Sequence, residues 1–286
     1  MQYINPPYNY SGSKLKLLDQ ILPLFDYSKD HFIDLFCGGG AVYVNVLDKY
    51  KKVLINDIIG DLIECHRLLS TNPHDFIESV KKLAQTKENQ ELYNELRSSY
   101  NKEKTPEKRA SMLFALMLSC TNNSIRFNKS GVFNQTWGKR GFSDSTQNKL
   151  DIFVEHISKY SEKIYYVSKN FYEITPTKSS MIYCDPPYGY CMDNNGNISN
   201  DQVSEAGYNN FWYQKNDIEL YNYLLKLDKN KHSFMLSGVI EHNNKKSWLI
   251  NRLIQDKFKY KELNFNYNGV SRKGDKETNE VVIFNY

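Results

Sequence analysis

Cysteine is scarce and unpaired in this chain. Five of its 286 residues, Cys37, Cys65, Cys120, Cys184 and Cys191, are scattered singly along the sequence. None forms a Cys-x-x-Cys pair, which removes the common zinc and dithiol signatures. An odd, dispersed set fits a reduced, cytoplasmic setting and gives no disulfide framework. Long hydrophobic runs are missing as well: the longest apolar stretch, Met112 to Cys120, falls short of the roughly 20 residues that span a bilayer. No membrane association is expected. The opening residues, Met-Gln-Tyr-Ile-Asn-Pro-Pro, lack the basic-then-apolar order of a signal peptide. Neither sign of charge dominates, with 37 Lys and Arg against 33 Asp and Glu, so any nucleic-acid surface must come from local clustering. Internal repeats, low-complexity segments and a carboxylate cluster fit to gather a divalent ion are also absent, and no metal is expected.

What is present can build a core. Hydrophobic residues make up 40% of the chain, enough for one large domain or one domain carrying a substantial insertion. Short β-branched or aromatic runs predict strands at Phe32–Phe36, Lys52–Asn56, Ile164–Val167, Met181–Cys184, Ser233–Leu236, Lys261–Tyr267 and Val281–Asn285. Helical spacing occurs over Lys14–Leu24 and Gly60–Leu69. Strands alternating with helices predict an α/β domain with a mainly parallel sheet. The alternation breaks between about Ile58 and Tyr160, where helical patterns (Pro73–Leu83, Gln90–Tyr100, Pro106–Ser119) are followed by a polar stretch, Thr121–Phe142, that reads as loop and hairpin. Residues 58–160 are therefore expected to form a mostly helical insert, and residues 1–57 with 161–286 the main domain. A second irregular stretch, Gly189–Gln214, is of a length that is usually functional or disordered, and suits either a loop that closes over a flipped base or a passive one.

Two strand ends carry chemistry. Phe32–Phe36 runs into Cys37-Gly38-Gly39-Gly40, with a helix expected over Ala41–Leu47. Glycines at such a turn let backbone approach a ligand at the carboxyl ends of the strands. Asp57, at the end of the next predicted strand, is placed to accept hydrogen bonds from ribose hydroxyls. The G-x-G-x-x-G fingerprint is missing, so a nucleoside without pyrophosphate is expected. The second end is Asp185-Pro186-Pro187-Tyr188, directly after Met181–Cys184. Two prolines fix φ near −65° and withhold their amide donors, so the loop is stiff and presents carbonyls. An aryl amine is a poor nucleophile because its lone pair is delocalised; the Asp185 carboxylate and Pro186 carbonyl could accept its two N–H bonds and draw the pair out. Tyr188 offers an aromatic face to an extruded base. A near copy, Asn5-Pro6-Pro7-Tyr8, precedes a helix rather than following a strand and reads as an N-terminal turn.

Tyr10-Ser-Gly-Ser-Lys14, Asp34-Leu-Phe-Cys-Gly-Gly39, Asn56-Asp57 and Asp185-Pro-Pro-Tyr188 occur in this order, and together they resemble the Dam-like adenine-N6 DNA methyltransferase family. The resemblance implies a Rossmann-like S-adenosylmethionine-dependent methyltransferase sheet, a target-recognition insert and site-specific methylation of adenine N6 in double-stranded DNA by base flipping. It implies that Tyr10 and Lys14 contact the methionine part of S-adenosylmethionine, with Asp34 and the backbone at Phe36 holding the same end, Gly38 in the glycine turn, and Asp57 on the ribose. Phe171 would lie beside the cofactor adenine; Asn170 before it departs from the acid usual in the family. Asp185, Pro186, Pro187 and Tyr188 would be the catalytic loop, with Asp185 also bordering the cofactor.

Within the insert, Arg126-Phe-Asn128 to Phe133-Asn134-Gln135 resembles the family's recognition hairpin, in which an arginine fork reads guanine. Arg126, Asn128, Asn134, Lys139 and Arg140 are the expected DNA contacts. From Arg126 to Lys149 five basic residues (Arg126, Lys129, Lys139, Arg140, Lys149) stand against one acid, Asp144. A basic loop, Ser271–Glu277, is a further candidate for the DNA backbone. A cognate restriction endonuclease, if one exists, would be a separate protein. Methylation of cytosine N4, RNA or a protein amide, a DNA-binding protein without activity, and a nuclease are the rival readings; Asp rather than Ser or Asn at position 185 favours adenine.

Overall fold

The computed structural model describes residues 3–188, 212–242, 245–264 and 280–286. In chain order the elements begin with α1 (Leu18–Ile21), a single turn between two 3-10 turns, then β1 (His31–Asp34), β2 (Lys52–Asn56), α2 (Gly60–Thr71), α3 (Pro73–Leu83) and α4 (Gln90–Lys102). There follow α5 (Pro106–Ser119), α6 (Asp144–Ser158), β3 (Ile164–Val167), β4 (Ser180–Cys184), α7 (Gln214–Lys229) and β5 (Ser233–Val239). The last are a short hairpin, β6 (Glu241–His242) and β7 (Lys245–Lys246), then α8 (Trp248–Gln255), β8 (Lys259–Leu263) and β9 (Glu280–Phe284). No helix among the described residues is long and apolar enough to cross a membrane.

The chain forms two compact units, residues 1–15 with 37–170 and residues 16–36 with 171–286. These cut the sequence elsewhere than at the expected insert boundaries. In the first unit β2 and β3 pair in parallel, Val53 opposite Ile164 through Asn56 opposite Val167. The helices α2 to α4 pack around α5, whose Leu113, Phe114, Leu116 and Met117 are fully buried. A helix apolar nearly all round belongs at the centre of its neighbours. Phe114 makes edge contacts with Phe76 at 5.5 Å and with Tyr8 at 5.0 Å, the arrangement aromatic pairs prefer.

In the second unit β4 lies between β1 and β5, parallel to both, and β9 and β8 extend the sheet antiparallel beyond β5. The expected parallel sheet holds for β1, β4 and β5; the two antiparallel strands are an addition. Both β4 and β5 are buried along their whole length, which explains why they read as unbroken apolar runs in the sequence rather than as alternation.

Three local expectations change. Lys14–Leu24, expected as one helix, is a 3-10 turn, the single turn α1 and a second 3-10 turn. The helix expected over Ala41–Leu47 is only a 3-10 turn, Tyr43–Asn45. The Asn45 amide donates to the carbonyls of Ala41 at 2.8 Å and Ile4 at 2.9 Å, and its Oδ1 accepts from Ile4 N–H. That side chain thus takes a carbonyl a regular helix would use, the competition for backbone groups that Asn commonly sets up. The strand expected at Lys261–Tyr267 is instead Lys259–Leu263, with residues 265–267 outside the described range. An unanticipated helix, α6, starts at Ser143, whose Oγ accepts from Thr146 N–H at 3.2 Å, a regular N-cap.

Helices α2, α4 and α5 meet at the Asp61–Arg109 ion pair. Asp61 at the start of α2 accepts both Nε and Nη2 of Arg109, at 3.1 and 2.7 Å, and the Tyr100 hydroxyl at 2.7 Å. Arg109 also donates to the Tyr100 and Glu103 carbonyls and stacks over the Tyr100 ring at 4.5 Å. Three helices thus meet at one guanidinium. Arg109→Ala should destabilise the protein by about 2 kcal/mol, because it strands a half-buried carboxylate and two carbonyls. Arg109→Lys should recover only part of this, since an ammonium lacks the planar fork. Urea unfolding of the three proteins measures both.

Candidate active site

In the first unit the functional groups gather on the glycine loop between β1 and β2. Gly38 has φ +47° and Gly40 φ +82°, the left-handed region, where a side chain is strained. A Cβ at Gly38 would also lie 2.7 Å from the ring of Tyr10, and one at Gly39 2.6 Å from the Tyr10 Cβ. The glycines therefore let Tyr10 lie flat on the loop, which is how the structure brings together Tyr10 and Gly38. Asp57 is almost buried; its Oδ2 accepts from Gly38 N–H at 3.0 Å and its Oδ1 from Ile59 N–H at 3.0 Å. Burial raises its pKa, and these backbone bonds oppose the rise. Each oxygen keeps a further lone pair for an incoming hydroxyl. Lys14 is buried, with Nζ 3.1 Å from the Gly12 carbonyl.

Behind this loop lie residues that sequence patterns did not single out. His66 on α2 is fully buried, with Nε2 2.9 Å from the Gly38 carbonyl and Nδ1 3.1 Å from the Tyr43 hydroxyl. Tyr8, from the second Pro-Pro-Tyr copy, is also buried, with its hydroxyl 3.4 Å from His66 Nε2. That copy is a packed turn. The signal for His66 was only a polar residue on an apolar helix face, whereas Tyr8 belonged to the turn the sequence had already marked.

The second unit holds the other group. Asp34 ends β1 opposite Tyr183 of β4, and Leu35 N–H donates to the Tyr183 carbonyl at 2.9 Å. Cys184 follows Tyr183, and its buried thiol is pushed well up, first by desolvation and then by the Asp34 and Asp185 carboxylates. Asp185-Pro186-Pro187-Tyr188 leaves the end of β4. The Tyr188 phenol donates to Glu280 Oε2 at 3.0 Å and stands 3.5 Å from Asp185 Oδ1; the shorter bond holds the single proton. Burial, then the charges of Asp185 and Glu280, raise the Tyr188 pKa well above its ordinary value.

Phe36 and Phe171 meet at 5.6 Å, and each also contacts the Trp212 ring, at 5.7 and 5.9 Å. Tyr223 closes the cluster against Phe171 at 5.9 Å. The Trp212 indole donates to Asp217 Oδ1 at 2.8 Å, while Asp217 Oδ2 has no partner among the described residues. Desolvation pushes Asp217 up to about 7. The residues 189–211 of the expected closing loop, and the basic loop Ser271–Glu277, lie outside the described residues.

The hairpin region of the insert has two bridges, Phe127 with Phe133 and Cys120 with Trp137. Asn128 Oδ1 accepts from Ser130 and Val132 N–H, both at 3.0 Å, so its oxygen builds the turn. Arg126 donates through Nε to Asn134 Oδ1 at 2.9 Å and through Nη2 to the Asn134 carbonyl at 2.7 Å. Arg126 and Asn134 thus clasp the two arms. Lys139 and Arg140 are exposed, and Arg140 Nη1 donates to Asn123 Oδ1 at 2.7 Å.

Asp217 gives a pH prediction. Its folded pKa, about 7, lies above the usual 3.8, so the folded state holds the extra proton and its stabilising share is complete below pH 3.8 and lost as pH rises through 7. Asp217→Asn, which keeps an acceptor for Trp212, should remove that loss and be the more stable protein at pH 8 by on the order of 3 kcal/mol, with the gap closing towards pH 5. Unfolding curves across that range measure it.

Comparison with known proteins gives the family. The chain is 31% identical over 301 residues to the modification methylase StsI of Streptococcus sanguinis, an overlap covering all of this chain and 43% of that protein. It is 30% identical over 300 residues to the type II methyltransferase M.FokI of Planomicrobium okeanokoites, covering 99% of this chain and 43% of that one. With the type II methyltransferase M.MjaIII of Methanocaldococcus jannaschii it shares 30% over 257 residues, 82% of this chain and 84% of the other. The chain thus spans less than half the length of the first two. Residues 10–268 match the model of the D12 class N6 adenine-specific DNA methyltransferases, and the chain belongs to that family.

Proposed function

We propose that the chain transfers a methyl group from S-adenosylmethionine to adenine N6 in double-stranded DNA, at a specific site and on a base turned out of the helix. The observation that carries this reading is the Asp185-Pro-Pro-Tyr188 loop at the carboxyl end of β4, with its phenol held by Glu280. S-adenosylmethionine, when bound, supplies an electrophilic methyl on sulfur. Asp185 and the Pro186 carbonyl accept the two N–H bonds of the target amine, which localises its lone pair, and Asp185 receives the proton the amine gives up. Pro187 keeps the loop stiff, and Tyr188 stacks on the extruded base.

The donor set fits the cofactor. Asp57, already oriented by two backbone N–H groups, has lone pairs left for ribose hydroxyls. Tyr10, Lys14, Gly38, Asp34 and Phe36 are the residues for its amino-acid end, and Phe171, buried among aromatic rings, is the one for its adenine. DNA is the partner of the insert, residues 58–160, through the hairpin near 121–142. There Arg126 and Asn134, joined to each other, set the shape of the reading edge, Asn128 shapes its tip, and exposed Lys139 and Arg140 supply positive charge for phosphates. A cytoplasmic setting follows from DNA as substrate. M.FokI and StsI are named as modification methylases or type II methyltransferases, which supports a role beside a separate restriction endonuclease.

Asp185→Ala should abolish methyl transfer while the fold persists, and Asp185→Asn should cost about 10²–10³-fold in rate. Tyr188→Phe keeps the stacking face and should stay within about tenfold of wild type, the loss coming from the Glu280 hydrogen bond; Tyr188→Ala should lose far more. Transfer of labelled methyl to DNA, with mapping of modified bases in a host lacking DNA methylation, is the test. Label found on cytosine, or near wild-type turnover by Asp185→Asn, would sink the reading. Arg126→Ala should blur discrimination between target and near-target sites by about 1–3 kcal/mol, read from relative rates on single-base variants.

A further inference from the structure

We propose that His66 is a positioning residue that holds the glycine loop in the form that accepts the methyl donor. The inference rests on the S-adenosylmethionine reading above. A carbonyl oxygen can only accept, so the 2.9 Å contact between His66 Nε2 and Gly38 O puts the proton on Nε2. Nδ1 is then an acceptor, and the Tyr43 phenol at 3.1 Å donates to it. Both ring nitrogens are satisfied by one neutral tautomer. Burial supports this form, pushing the imidazole down to about 4.

Gly38 is consequently held through both of its backbone polar groups, its N–H by Asp57 and its C=O by His66. Asp57 also accepts from Ile59, the residue that leads into α2, and His66 lies within α2. His66 of α2 and Asp57, at the start of the connection into that helix, therefore clamp a single glycine from two sides. The clamp extends to Gly40: a Cβ there would lie 2.5 Å from Tyr43 and 2.9 Å from His66, so the same pair moulds the next left-handed residue. An inert core side chain at position 66 would fill the space. It would not fix the Gly38 carbonyl, and through it the Gly38 N–H that aligns Asp57.

The test compares His66→Gln, whose amide nitrogen can donate to Gly38 O, with His66→Asn, too short to reach it, and His66→Phe, which fills space without a donor. Binding of S-adenosylmethionine is measured by calorimetry, and cofactor KM and kcat by methyl transfer. Loss of the donor to a buried carbonyl should weaken cofactor binding about tenfold or more in Phe and Asn, raising KM with kcat at saturation unchanged. Gln should stay within about threefold of wild type. Equal binding by Phe, Asn and wild type overturns the assignment. So does a Gln variant as weak as Phe, because a purely structural residue gives that pattern. If Phe does not fold, the contrast between Gln and Asn decides in the same way. Absence of binding by the wild-type protein is a different result: it removes the cofactor assignment itself, and the role of His66 with it.

Discussion

The Asp57 carboxylate, taken out of water and paired only with backbone N–H groups, is the constraint on which the first unit turns. A buried carboxylate is costly unless its oxygens find donors, and here Gly38 and Ile59 provide them. Satisfying that charge fixes the exit of β2, the entry to α2 and the middle of the glycine loop together. The backbone shape of the loop is thus set by an electrostatic debt incurred far along the sequence. Tyr10 can lie against Gly38 and Gly39 only because nothing branches from them.

The second unit solves a comparable problem differently. Its Asp-Pro-Pro-Tyr loop leaves a strand buried along its whole length, where water cannot organise the polar groups. The Glu280 carboxylate fixes the Tyr188 phenol, and Trp212 is oriented by Asp217. Glu280 lies 92 residues beyond Tyr188 in sequence, so the geometry at the end of β4 is imposed by a tertiary contact rather than by the tetrapeptide alone, whereas Asp217 reaches Trp212 from only five residues away.

The parts of the molecule that were legible in advance share a cause. Strands β2 and β3 appear where the apolar runs put them, and helices α3 and α5 at their predicted bounds, because proline marks each helix start and side-chain periodicity does the rest. The motif residues were visible because glycine, proline and strand-end acids are local signals. Residues that act only through a fold were not. His66 reads as one polar position on an apolar helix face, Glu280 as an ordinary acid near a strand, and Asp217 as a first-turn acid on α7; nothing local to them names their partners. The failed helix at Ala41–Leu47 has the same origin, since the periodicity was present but the Asn45 amide took the carbonyls.

The cysteines next to these sites acquire a use from their burial. Cys37 adjoins Gly38 and Cys184 adjoins Asp185, and both thiols, like those of Cys65 and Cys120, are enclosed. Desolvation pushes the Cys65, Cys120 and Cys184 thiols up, Cys120 to about 12, and alkylation requires the thiolate. These sulfurs are therefore poor targets for electrophiles in the folded chain and ordinary ones once their unit opens. Covalent labelling rates at Cys37 and Cys184 work as clocks for the opening of the two units, one beside each functional loop, without any foreign probe having been introduced.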